Sequence, residues 1–175
     1  STFSTSRKSF SICQRGKLMS DEHDPQVLVI AEIGVNHDGS VNKALELIDA
    51  AVEAGADVVK TQTFDSALVA SAHAEQAPYQ VDSTSPTSQL DMIRALELSH
   101  ADHWELLEAA QTSGIEFMST AFDLPSLRFL IDELRISRVK VPSGEMTNLP
   151  FLLACGAANK ELIVEFGQLL PGDSI

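Results

Sequence analysis

Between Val27 and Thr63 the chain reads as strand, polar loop, helix and strand, and that order leaves few ways to fold. Val27 to Ala31 is an apolar, β-branched run, the pattern of a strand buried on both faces. It meets Glu32 and breaks into a loop holding Gly34, Asn36, His37, Asp38 and Gly39. Ser40 or Asp38 can cap a helix in which Val41, Ala44, Leu45, Ile48, Ala51 and Val52 recur at helical spacing, and Gly55 ends it. Ala56 to Thr63 is a second strand, with Lys60 and Gln62 on one face and Val59, Thr61 and Thr63 on the other. Strands joined through a helix of this length run parallel. A carboxylate at the end of a buried strand, ahead of a glycine loop, is how α/β enzymes display chemistry; Glu32 could equally do no more than cap neighbouring backbone.

The rest of the chain repeats the theme. Phe64 to Pro86 is long and irregular, as functional or disordered loops are. Thr87 to Leu98 reads as an extra helix, and Ser99 with Asp102 as a capping box ahead of a helix that Gly114 closes. Glu116 to Phe122 is a third strand. Asp123 caps and Pro125 opens the next helix. Arg138 to Ser143 is a fourth strand, Asn148 and Pro150 start another helix, and Leu162 to Val164 is a short fifth strand. This period predicts an α/β fold containing the first five strands of a (β/α) barrel or of a doubly wound sheet. Gly34 and Gly39 do not make G-x-G-x-x-G, which argues against the nucleotide-binding version.

Charge narrows the partners. The first 18 residues carry Arg7, Lys8, Arg15 and Lys17 and no acid, leaving 8 bases against 25 acids in the remainder. A body that acidic is ill suited to nucleic acid or to an anionic membrane surface, and no apolar run is long enough to span a bilayer. An anionic substrate must be met by a few focused cations. Cys13 and Cys155 offer no disulfide or zinc pattern, and Cys155 falls in an apolar helix as a small buried thiol. The Ser-rich, basic start suits a transit peptide; it suits upstream translation or an artificial leader better, with Met19 as a natural start. The expected organisation is a leader over 1–26, the barrel segment over 27–164, and a tail over 165–175.

Four strand ends bring polar groups to one end of the sheet: Glu32; Lys60 with Gln62; Ser119 with Thr120; Lys140 with Ser143 and Glu145. Each lysine interrupts a Val-rich run, where an unpaired cation costs several kcal/mol, roughly. Either the lysines pair internally with Glu32 or Glu145, or they and nearby hydroxyls hold a multiply charged phosphate or carboxylate. Gly144 favours the second reading, since glycine lets backbone amides approach an anion.

The stretches AEIGVNHDGS, GADVVKTQTF, APYQ, LELS, FMSTAFD and VKVPSGEMTNLP, in this order over about residues 27–160, resemble the N-acetylneuraminate (sialic acid) synthase family, closest to its sialate and legionaminate branches. The resemblance implies a (β/α)₈ TIM barrel of the phosphoenolpyruvate-dependent synthase type, of which about five strands are present here. It implies condensation of phosphoenolpyruvate with an N-acetylated hexosamine such as N-acetylmannosamine, giving a nine-carbon keto acid and phosphate. By the same resemblance Lys60, Thr120, Lys140 and Ser143 hold phosphoenolpyruvate, Gln62 and Tyr79 lie beside the sugar, and Glu32 and Glu145 handle protons and the attacking water. The family works as a cytoplasmic homodimer with a divalent metal, manganese or magnesium, and an antifreeze-like domain. Its metal-binding histidines fall beyond the matched region, and none of His23, His37, His73, His100 or His103 corresponds to them, so no metal ligand is expected in this chain. After the fifth strand the family shows a Ser-Thr-Gly-Met-Ala-like stretch; here Glu165-Phe166-Gly167-Gln168-Leu169 keeps only the glycine. These departures leave two alternatives to a working synthase: a non-catalytic remnant of the family, or a Schiff-base aldolase or lyase using Lys60 or Lys140. With five strands instead of eight, the isolated chain is expected to be loosely packed and inactive.

Overall fold

A computed structural model of the protein describes residues 27–69 and 89–167. Among them, five parallel strands form one sheet in the order β1-β2-β3-β4-β5: β1 (Ile30–Glu32), β2 (Val58–Thr63), β3 (Glu116–Ala121), β4 (Arg138–Val141) and β5 (Glu161–Val164). Each strand lies beside its neighbours in sequence. A doubly wound sheet reverses its strand order at a switch point; a barrel does not, so this order is that of a (β/α) barrel.

The connecting helices are α1 (Val41–Glu53), α2 (Ser66–Val69), α3 (Gln89–Leu96), α4 (His100–Thr112), α5 (Leu124–Arg128) and α6 (Leu149–Ala157). Their ends follow local chemistry. Ser40 caps α1, accepting from the Lys43 amide, and Gly55 follows at φ +76°. Ser99 and Asp102 form the reciprocal capping box of α4. Asp123 caps α5 with Pro125 in its first turn, and a π-helical turn, Phe129–Glu133, continues it. Asn148 caps α6. The core sits between the sheet and the outer helices, with Ile48, Leu106, Leu127, Leu130, Phe129, Val59, Val139 and Phe151 buried; Cys155 is buried there as a free thiol.

Three expectations change. The first strand is shorter than Val27 to Ala31 and is not buried on both faces: Val27 is 83% exposed. Among the described residues β1 pairs with β2 alone, so its other side lacks a neighbour. Ser66–Val69, inside the stretch read as irregular, forms a short helical turn begun by Asp65, whose carboxylate accepts from the Ala67 amide. The fourth strand stops at Val141, because Pro142 cannot donate to a ladder and Ser143–Glu145 turns into a single 3₁₀ turn. Tyr79, residues 1–26 and residues 168–175 lie outside the described residues.

Candidate active site

Side chains alternate along a strand, so register decides what meets at the sheet's C-terminal end. Ile30↔Val58, Val58↔Glu116, Thr120↔Lys140 and Lys140↔Ile163 are paired positions. Glu32, Lys60, Gln62, Thr120, Phe122, Lys140 and Pro142 therefore share one face. They line a cavity of about 320 Å³, closed at its rim by Ser143, Gly144, Glu165 and Gly167.

Lys60 is the buried centre of this cavity, only 5% exposed. Its ammonium donates to Thr120 Oγ1 at 3.1 Å and forms an ion pair with Glu32. Burial pulls the Lys60 pKa down, and the Glu32 carboxylate works against that pull. Glu32 is held from its other oxygen, which accepts from the Gly34 amide at 3.0 Å. Gly34 is needed there: a Cβ would lie 2.7 Å from Glu32 Oε1 and 2.8 Å from Gln62 Cγ. Lys140 is paired as well, with Glu165 at 2.5 Å. That ammonium pulls the Glu165 carboxyl below the ordinary range.

Of the predicted site residues, Glu32, Lys60, Gln62, Thr120, Lys140 and Ser143 thus come together. Glu145 does not: it accepts from the Asn148 side chain at 2.6 Å, outside the cavity lining. Ser119, expected at the same end, sits on the opposite face. Its hydroxyl links Thr61 and Thr63, and Thr63 donates to Nε2 of buried His103, whose Nδ1 donates to the Ser99 carbonyl. This polar thread ties β2 and β3 to α4, and makes His103 a structural residue. Of the two readings offered for the lysines, the structure shows the internal pairing. Each is internally paired, yet Lys140 chooses Glu165 and not Glu145.

Sequence reading missed Glu165 by treating the residues after Val164 as a tail. The signal was parity: Glu165 is two residues past Ile163, hence on the Lys140 face, and its amide continues the ladder to the Val141 carbonyl at 3.1 Å. It also missed Arg138, which ties Glu116 on β3 to Glu161 on β5 at the sheet's N-terminal end. Among the described residues no three His, Cys, Asp or Glu side chains gather, and both carboxylates in the cavity are engaged by lysines. These residues do not fit a divalent metal by themselves. No helix among them is long and apolar enough to cross a membrane.

Sequential parallel strands with two lysines in a polar cavity at their C-terminal ends define a (β/α)-barrel chain of the kind that carries its chemistry on that face. Residues 47–172 match the NeuB family, and the chain belongs to it. It is 44% identical over 165 residues to an N,N′-diacetyllegionaminic acid synthase of Legionella pneumophila, covering 94% of this chain and 44% of that protein. It is 32% identical over 140 residues to an N-acetylneuraminate-9-phosphate synthase of Mus musculus, covering 80% and 39%. The crystal structure of an N-acetylneuraminic acid synthetase from Leptospira borgpetersenii in complex with citrate matches at TM-score 0.68 and 27% identity, over 83% of this chain and 46% of that one. A DAHP synthase from Thermotoga maritima shares the fold at TM-score 0.53 and 17% identity. The chain spans less than half the length of these relatives.

Proposed function

We propose that this chain carries the phosphoenolpyruvate-binding part of a sialic or legionaminic acid synthase, which joins phosphoenolpyruvate to an N-acetylated amino sugar and releases phosphate. The observation that carries it is the convergence of Lys60, Lys140, Thr120 and Ser143 on one cavity at the C-terminal ends of β2, β3 and β4. That the related Leptospira borgpetersenii synthetase forms a complex with citrate, a polyvalent carboxylate, is in keeping with this reading.

In this proposal Lys60 and Lys140 bind the phosphate and carboxylate of phosphoenolpyruvate, with the Thr120 and Ser143 hydroxyls donating to the same oxygens. Gln62, at the cavity edge next to Val35, Phe64 and Phe122, faces the sugar. C3 of the enol attacks the sugar aldehyde while water adds at C2, and the tetrahedral adduct expels phosphate. Glu32, half-exposed at the rim beside Lys60, takes the proton from that water. Glu145 would have to leave Asn148 to share the task. Use of a divalent metal is part of the same proposal, with ligands other than the residues of this cavity. Action as a cytoplasmic homodimer belongs to the same proposal.

Calorimetric titration with phosphoenolpyruvate tests it: binding by the chain that Lys60→Ala and Lys140→Ala each weaken markedly is expected, and no binding overturns it. Phosphate release with phosphoenolpyruvate plus N-acetylmannosamine then separates a synthase from a non-catalytic remnant. A Schiff-base lyase is favoured by one observation, the burial that eases deprotonation of Lys60. Borohydride trapping of pyruvate on Lys60 would establish that alternative.

A further inference from the structure

The cavity that should attract an anion has its cationic charge already cancelled. Glu32 answers Lys60, and Glu165 answers Lys140. The two pairs differ in how they are held. Glu32 is fixed from two sides, by Lys60 and by the Gly34 amide. Glu165 is anchored by its backbone, through the hydrogen bond to Val141, while among the described residues its carboxylate pairs with Lys140 and feels Lys60 only as a weaker, more distant charge. Its side chain is 47% exposed against 20% for Lys140. The acid is therefore the more solvated partner, and turning it into water leaves the less exposed Lys140 facing the cavity.

We infer that Glu165 is an affinity-setting residue of the site: its carboxylate occupies the Lys140 anion position, and an anionic substrate docks only by displacing it. This rests on the reading of the cavity as a phosphoenolpyruvate site and adds to it a built-in competitor. The competitor selects against weakly charged ligands, because a monoanion gains no more from Lys140 than Glu165 already does, while a ligand with several charges also engages Lys60, Thr120 and Ser143. An exchange of one carboxylate for another on a partly exposed lysine is a small step in affinity, so the device tunes binding and does not block it.

The test is calorimetric titration of the chain, Glu165→Gln, Glu165→Ser, Lys140→Ala and the double variant Lys140→Ala/Glu165→Gln with phosphoenolpyruvate, alongside inorganic phosphate. Thermal melts of each variant accompany the titrations. Both single Glu165 variants are expected to bind phosphoenolpyruvate roughly 5- to 20-fold more tightly than the parent, and the gain is expected to vanish in the double variant. Inorganic phosphate, if it uses the Lys140 position, is expected to gain by a similar factor, because it displaces the same carboxylate. Equal affinity in the parent and both Glu165 variants, with binding lost in Lys140→Ala, overturns the role of Glu165 and leaves the phosphoenolpyruvate site standing. A gain that survives in the double variant also overturns it, since the effect would not pass through Lys140. Absence of phosphoenolpyruvate binding in every folded form overturns the site itself, and the inference with it.

Discussion

Lys60 Nζ lies 3.1 Å from Thr120 Oγ1 although 60 residues separate them in sequence. The contact crosses from β2 to β3 and is buried. It holds the ammonium in the cavity, where the Glu32 carboxylate meets it from the β1 side. A buried cation with one acid and one hydroxyl is costly to keep for stability alone, and replacing such a pair with apolar groups is often neutral or stabilising.

Lys60→Met is accordingly expected to leave the melting temperature unchanged or raise it, because Glu32 is half-exposed and can be solvated once released. The same variant is expected to weaken phosphoenolpyruvate binding by more than about tenfold. A melt and a titration on one sample check both; a large loss of stability with intact binding would make Lys60 a structural residue.

Lys140→Ala is expected to weaken phosphoenolpyruvate more than the amino sugar in a protein that turns over both. The measurement is KM for each substrate. Equal increases would assign Lys140 to the architecture of β4 and not to the anion.

Two glycines separate site geometry from fold. Gly34→Ala pushes a methyl against Glu32 and Gln62, with the Thr61 carbonyl carbon 3.2 Å away, and is expected to cost about 1–3 kcal/mol while impairing activity further. Gly39→Ala is worse for the fold. Gly39 sits at φ +72° and its Cβ would lie 2.1 Å from the Ala95 carbonyl oxygen, a backbone atom that cannot rotate aside. A loss of about 2 kcal/mol or more is expected by urea denaturation.

Acid should weaken the fold through two histidines. His37 and His103 are almost fully buried, and burial lowers both pKa values from 6.5. An unfolded chain protonates them near 6.5 while the folded chain resists. Their contribution is thus fully present above that pH and is lost as pH falls below it. Melting temperature against pH from 8 to 5 should turn downward near 6.5, and His103→Gln should flatten the slope by about one proton. A flat profile in the parent protein would show that neither ring is held neutral.

Much of this was legible from residues. Helix caps were, because Ser40, Ser99 and Asp123 act within a turn of their own position. The convergence of Lys60 with Lys140 was, because strand alternation and parallel order are both readable. Ser119 was misplaced because adjacency to Thr120 looks like proximity, while a one-residue step in a strand turns the side chain to the other face. Glu145 was misplaced because Pro142 ends the strand, and beyond it parity no longer sets direction. Glu165 was passed over because its sequence matched nothing expected, although its register was readable.

The strand order also bears on how the molecule is made. Every strand pairs with the one just before it in the chain, so an emerging segment finds its docking edge already built. Glu32 is present when Lys60 arrives, and that cation is never without a counter-charge. Lys140 is different: its acid lies 25 residues downstream, beyond α6 and β5. The Lys140 pair therefore closes only when β5 docks on β4, so it reports on the last strand added to the described sheet, whereas the Lys60 pair reports on the first two.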